Sequence, residues 1–133
     1  MTPARAAGKS PRSGHAEEYF RDGTLAAKGR YARGRKSGRW TYYFRDGTVR
    51  AKGPYANGLL DGLWTWHRKG GGLLQVGGFK DGKQHGTWKR YRANGQLHDV
   101  GSYSNGKKFG IWMLYDAKGR LIGSKRPGFP DVA

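Results

Sequence analysis

The chain has 133 residues, room for one domain, and no cysteine, so disulfides and thiolate metal sites are excluded. Its 26 lysines and arginines against 9 acids give a formal charge of +17, which points to an anionic partner. Hydrophobic residues make up 35% and include 5 Trp, 8 Tyr and 5 Phe, so aromatic rings must supply most of the buried area.

In chain order, residues 1–16 come first: basic, free of acids, and rich in Ala, Gly, Ser and Pro. They lack the apolar stretch of a secretory signal and read as a solvated, disordered tail. No window approaches the roughly 18 apolar residues of a membrane span. The expected location is the cytoplasm.

From residue 17 to 124 the sequence repeats. Trp40, Trp64, Trp88 and Trp112 stand 24 residues apart, and Gly38, Gly62, Gly86 and Gly110 precede them at the same interval. Further registers are Gly23, Gly47, Gly71, Gly95 and Gly119; Gly29, Gly53, Gly77 and Gly101; and Gly34, Gly58, Gly82 and Gly106. Tyr31, Tyr55, Phe79 and Tyr103 form an aromatic register, and Leu25, Val49, Leu73, Leu97 and Leu121 an aliphatic one. Ala16 stands where the first Trp would fall, so the array opens on an atypical end unit. Residues 125–133 are a C-terminal tail.

Each repeat reads as a β-hairpin. Asp22-Gly23, Asp46-Gly47 and Asn94-Gly95 are hairpin-turn dipeptides, and Asn57-Gly58, Asp81-Gly82 and Asn105-Gly106 mark a second turn per repeat. Between them WTYYFR and TVRAKGPY have strand length and alternate in character. The glycines at 53 and its equivalents leave a hole on the apolar face where an indole can lie flat. The expected fold is all-β, one elongated, curled antiparallel meander of nine or ten strands.

The stretch GLWTWHRKGG at 62–71 looks like a ligand pocket beside a phosphate loop, but the repeat absorbs it. Gly62, Trp64 and Gly71 are lattice positions and His67 stands in a Tyr register; Trp66, Gly70 and Gly72 fall outside it. Gly70→Ala is therefore expected to be tolerated better than a change at Gly58. A phosphate loop needs a helix after it, and here another strand-like segment follows. The histidines show no metal-ligand spacing. Asp61 and Asp99 stand isolated, Glu17 and Glu18 sit at the array's edge, and no acid–base pair or activated nucleophile emerges. No catalytic activity, cofactor, metal or small-molecule substrate is expected.

Charge is the remaining signal. RYARGRKSGR at 30–39 holds Arg30, Arg33, Arg35, Lys36 and Arg39, and Arg45, Arg50 and Lys52 continue it. These eight side chains are the expected basic contacts, with Tyr42 and Trp66 as aromatic contacts where exposed. Trp40, Trp64, Trp88, Trp112, Gly34, Gly58, Gly82 and Gly106 are read as scaffold. An acidic protein surface is the first-choice partner, and nucleic acid or anionic phospholipid bound without sequence preference is the alternative. Open sheet edges also allow self-association.

The unit G-x-Y-x-N-G-x-x-x-G-x-W-x-x-Y-x-x-x-G-x-L, at 53–73 and 101–121, resembles the MORN repeat. It is most similar to the Trp-containing variant found in bacterial YwqK-type antitoxin-like proteins. The resemblance implies a β-hairpin array that serves as a binding scaffold without catalysis of its own. It also implies roles such as toxin neutralisation, phospholipid association or dimerisation.

Overall fold

A computed structural model describes residues 4–5 and 13–127. Its strands are β1 (Ala4–Arg5), β2 (Gly14–Tyr19), β3 (Leu25–Ala32), β4 (Arg35–Tyr43), β5 (Val49–Ala56) and β6 (Leu59–Leu60). They continue with β7 (Gly62–His67), β8 (Leu73–Lys80), β9 (Lys83–Tyr91), β10 (Leu97–Ser104), β11 (Lys107–Tyr115) and β12 (Leu121–Lys125). All lie in one antiparallel sheet in chain order, with β6 off the path and paired to β5. Among the described residues there is no helix.

The ten strands from β2 to β12, leaving out β6, are the expected meander. Two short additions depart from that count. β1 pairs with β2, and β2 itself starts at Gly14, so the sheet takes in Gly14 to Ala16 that the sequence reading gave to the tail. The sheet likewise runs one residue past 124, to Lys125. Residues 6–12 and 128–133 lie outside the described residues. The other addition is β6, where a strand that is continuous in β4, β9 and β11 breaks at Asp61. Its partner Pro54 has no N–H to offer the ladder, and only its carbonyl accepts, from the Asp61 N–H at 3.2 Å.

The two hairpin turns differ. Asn57-Gly58 takes φ of 51° and 82°, Asp81-Gly82 51° and 81°, and Asn105-Gly106 51° and 82°. Positive φ at both central residues is the two-residue turn whose twist matches the strands it joins. Arg33-Gly34 has the same form, with φ of 53° and 77°. The other dipeptides sit in a wider turn. The Phe20 N–H donates to the Thr24 carbonyl at 2.8 Å, and the Gly23 N–H to the Phe20 carbonyl at 2.9 Å. The Asp22 carboxylate accepts from the Thr24 N–H at 2.9 Å and its hydroxyl at 2.6 Å. In the turn at 68–72 that aspartate is replaced by Gly70, which takes φ of 90°. A side chain at Gly70 is therefore strained as one at Gly58 is, although Gly70 lies outside the lattice.

Register sorts the side chains into two faces. Ala27↔Tyr42↔Ala51↔Trp66 lie across one face, and Lys28↔Thr41↔Lys52↔Thr65 across the other. Period-two alternation then puts every lattice Trp on the first face.

Candidate binding surfaces of the sheet

The aromatic face is built by one relationship repeated four times. Each Trp Nε1–H donates to the carbonyl ten residues earlier: Trp40 to Arg30 at 3.0 Å, Trp64 to Pro54 at 2.8 Å, Trp88 to Gly78 at 3.0 Å and Trp112 to Ser102 at 3.2 Å. Beneath each indole lies a glycine of the neighbouring strand (Gly29, Gly53, Gly77, Gly101) at which any Cβ would overlap ring atoms. Tyr31, Tyr55, Phe79 and Tyr103 meet the indoles edge-on, at 5.2–5.5 Å for the pairs Tyr31–Trp40, Tyr55–Trp64, Phe79–Trp88 and Tyr103–Trp112. With the N–H bonded, rings of 150–250 Å² bury at about 4–6 kcal/mol each by area, an upper figure.

Tyr42 and Trp66, the expected aromatic contacts where exposed, belong to this packing. Tyr42 lies between Trp40 and Trp64, 6.3 and 6.2 Å away, and Trp66 between Trp64 and Trp88, 6.1 and 5.5 Å away. Both are half-buried. The Tyr42 and Tyr55 hydroxyls share a 2.7 Å hydrogen bond, and burial pushes both phenols above their ordinary value.

The eight expected cations scatter. Lys36 lies on the aromatic face, its Nζ 4.6 Å from the Trp40 ring, 2.9 Å from the Tyr42 hydroxyl and 3.3 Å from the Glu18 carboxylate. That ammonium is committed inside the fold. Arg33 and Arg35 stand at one turn edge, flanking Gly34. Arg45 lies at the other, its guanidinium 5.3 Å over the Phe20 ring and 3.9 Å from Asp22. Arg50 is the extra residue of a bulge, since Tyr42 opposes Ala51 and Tyr43 opposes Val49.

Arg30, Arg39 and Lys52 do come together, on the face opposite the tryptophans. Lys28 joins them, through the pairs Lys28↔Thr41↔Lys52, Arg30↔Ser37 and Arg39↔Pro54. A hollow of about 470 Å³ is lined, among the described residues, by His15, Lys28, Gly29, Arg30, Arg39 and Thr41, none of them acidic. The Glu17 carboxylate stands at its edge, 3.5 Å from His15 Nε2 and opposite Lys28, and the Tyr19 hydroxyl donates to it, which keeps it below the usual carboxylate range. Lys28 stands outside the dense basic run at 30–39 that dominates the sequence. Strand alternation, with Lys28 two residues before Arg30, was the available signal.

Two acids that look isolated or peripheral in sequence are paired inside. Asp99 is 3% exposed and takes three hydrogen bonds from Arg90, at 3.0, 3.2 and 2.6 Å. Those bonds raise the Arg90 pKa further. Glu18, at the array's start, is buried beside Lys36.

With this geometry in place, the sequence was compared with known proteins. A family model described as a MORN repeat variant matches residues 36–57 and 84–107. The two matches start two periods apart, in the same register of the lattice. The sheet is consistent with a MORN-type hairpin array, and the match suggests a β-repeat binding module. No curated protein matches the sequence. A solved structure titled "Crystal structure of GtfA/B complex bound to UDP and GlcNAc" is similar at 16% identity, with a TM-score of 0.35. The similarity covers 95% of this chain and 27% of that chain, so this chain spans about a quarter of its length. No helix among the described residues is long and apolar enough to cross a membrane.

Proposed function

We propose that the chain is a non-enzymatic β-repeat binding module that docks an acidic protein surface on the face opposite the tryptophans. The observation that supports this is the grouping of Lys28, Arg30, Arg39 and Lys52 around Thr41, beside a hollow whose lining, among the described residues, holds no acid. Guanidinium groups of Arg30 and Arg39 suit bidentate pairing with carboxylates, and two lysines extend the charge. The aromatic face supports the grouping from behind, because the indoles fix the strands that carry it. Antitoxin-like neutralisation, with this face covering an acidic surface of a toxin, is the specific role we propose.

The test is capture from nuclease-treated lysate by wild type and by the variant Lys28→Gln/Arg30→Gln/Arg39→Gln/Lys52→Gln. Acidic proteins retained by the wild type and lost by the variant support the reading. Equal retention by both would overturn it, as would the absence of any retained acidic protein.

A further inference from the structure

The aromatic ladder has one gap. Position 42 and its equivalents, 66 and 90, fall between successive tryptophans. Tyr42 fills the space between Trp40 and Trp64, and Trp66 fills that between Trp64 and Trp88. At 90 the residue is arginine, and Asp99 binds its guanidinium through both carboxylate oxygens. A cavity of about 170 Å³ is left there, lined by Gln75, Gln84, Trp88, Arg90, Tyr103, Lys108 and Trp112. An apolar cavity of roughly 150 Å³ admits benzene, so this one has the size of a single aromatic ring.

The lining also carries charge. Lys108 holds its Nζ 4.5 Å over the Trp112 ring. Arg90 is neutralised by Asp99, so the slot keeps one positive charge in excess, beside the side-chain amides of Gln75 and Gln84 and the Tyr103 hydroxyl. We propose that this slot is a socket for an aromatic side chain that stands next to an acidic residue in a protein partner. The ring takes the ladder position left open between Trp88 and Trp112, and the neighbouring carboxylate accepts from Lys108. The proposal rests on the reading of the chain as a module for an acidic protein, but the socket lies on the opposite face from the Lys28 cluster.

The repeats supply the control. Where Tyr42 fills its slot, the opposed residues are Ala27 and Ala51, and Asp99 stands in their register. Arg90→Tyr/Asp99→Ala therefore fills the socket with a pair the fold already uses. The experiment titrates the labelled protein with acetyl-Glu-Tyr-Glu-amide and follows the indole N–H resonances of Trp88 and Trp112, with Trp40 as reference. Saturable shifts at Trp88 and Trp112 are expected with millimolar peptide. They should vanish in the filled double variant. Lys108→Met, a milder change, should weaken the peptide roughly tenfold through loss of one charge-assisted hydrogen bond. Acetyl-Glu-Ala-Glu-amide and acetyl-Gln-Tyr-Gln-amide should each bind far more weakly.

No shift, equal shifts at Trp40, equal binding by either control peptide, or undiminished binding by the double variant or Lys108→Met would each overturn the socket. The fourfold Gln variant of the other face should leave these shifts unchanged, so failure of the socket and failure of the proposed function are read separately.

Discussion

Trp88 lies flat on Gly77: the indole's Cδ2 and Cε2 occupy the space where a side chain at 77 would begin, while its N–H reaches the Gly78 carbonyl at 3.0 Å. The same contact joins Trp40 to Gly29, Trp64 to Gly53 and Trp112 to Gly101. Gly77→Ala should therefore displace a buried ring and cost about 3 kcal/mol or more, in the range of severe overpacking. Gly123→Ala, which meets nothing within 4 Å, should change stability by less than about 0.5 kcal/mol. Urea melts of the two variants check this, and equal midpoints would show that the indoles do not depend on the glycines.

The turn at Asn57-Gly58 gives a second, independent strain. Gly58 takes φ of 82° and its N–H donates to the Lys36 carbonyl at 2.9 Å, tying the turn to the preceding repeat. Gly58→Val forces a β-branched side chain to positive φ and should cost more than about 1 kcal/mol. An unchanged melting temperature would contradict the turn.

The Arg90–Asp99 pair should show strong non-additivity. Arg90→Ala leaves the nearly inaccessible Asp99 carboxylate without its partner. The expected cost is about 2–3 kcal/mol, toward the low side for a buried pair because half of the Arg90 side chain is exposed to solvent. Arg90→Tyr/Asp99→Ala, which copies the Tyr42–Ala51 arrangement, should recover most of that loss. A double variant as unstable as Arg90→Ala would show that the pair is not the source of the effect.

Acid should loosen one row of turns. The Thr24 hydroxyl holds Asp22 below its ordinary pKa, the Thr48 hydroxyl does the same for Asp46, and the Arg120 N–H for Asp116. A depressed folded pKa contributes stability that is full above the unfolded value, near 3.9, and lost as pH falls through the folded value. Melting temperatures of the wild type should thus drop below about pH 4 more steeply than those of Asp22→Asn/Asp46→Asn/Asp116→Asn. Parallel curves would remove these carboxylates from the account.

The lattice was legible because one repeat states each contact four times: the Trp and Gly registers at 24-residue spacing already imply an indole lying on a bare backbone. Faces were harder to read. Arg30 and Lys36 sit in one basic run, yet the bulge at Gly38 and strand alternation send them to opposite sides of the sheet. The half-burial of Tyr42 and Trp66 comes partly from rings two strands away, Trp64 for Tyr42 and Trp88 for Trp66, which local pattern does not show. Arg90 and Asp99 carry no motif; their pairing follows from the register of β9 against β10 across the Asn94-Gly95 turn, which shifts by one residue between Leu97 and Asp99. Gly70 takes a positive φ that Asp22, Asp46, Asn94 and Lys118 do not, a difference its place outside the lattice does not announce.

The central claim, docking of an acidic protein rather than of nucleic acid, is tested most directly by the salt dependence of binding. A 20-base-pair duplex held by phosphate contacts from Lys28, Arg30, Arg39 and Lys52 should lose roughly 150-fold in affinity between 50 and 200 mM salt, at a slope of about −0.9 per contact. An acidic protein that also fills a desolvated pocket should keep much of its affinity over the same range, because apolar contacts are barely screened. The account predicts a protein complex that persists at 200 mM salt while the duplex dissociates. Duplex binding that stays tight at 200 mM, with no acidic protein bound there, would contradict it.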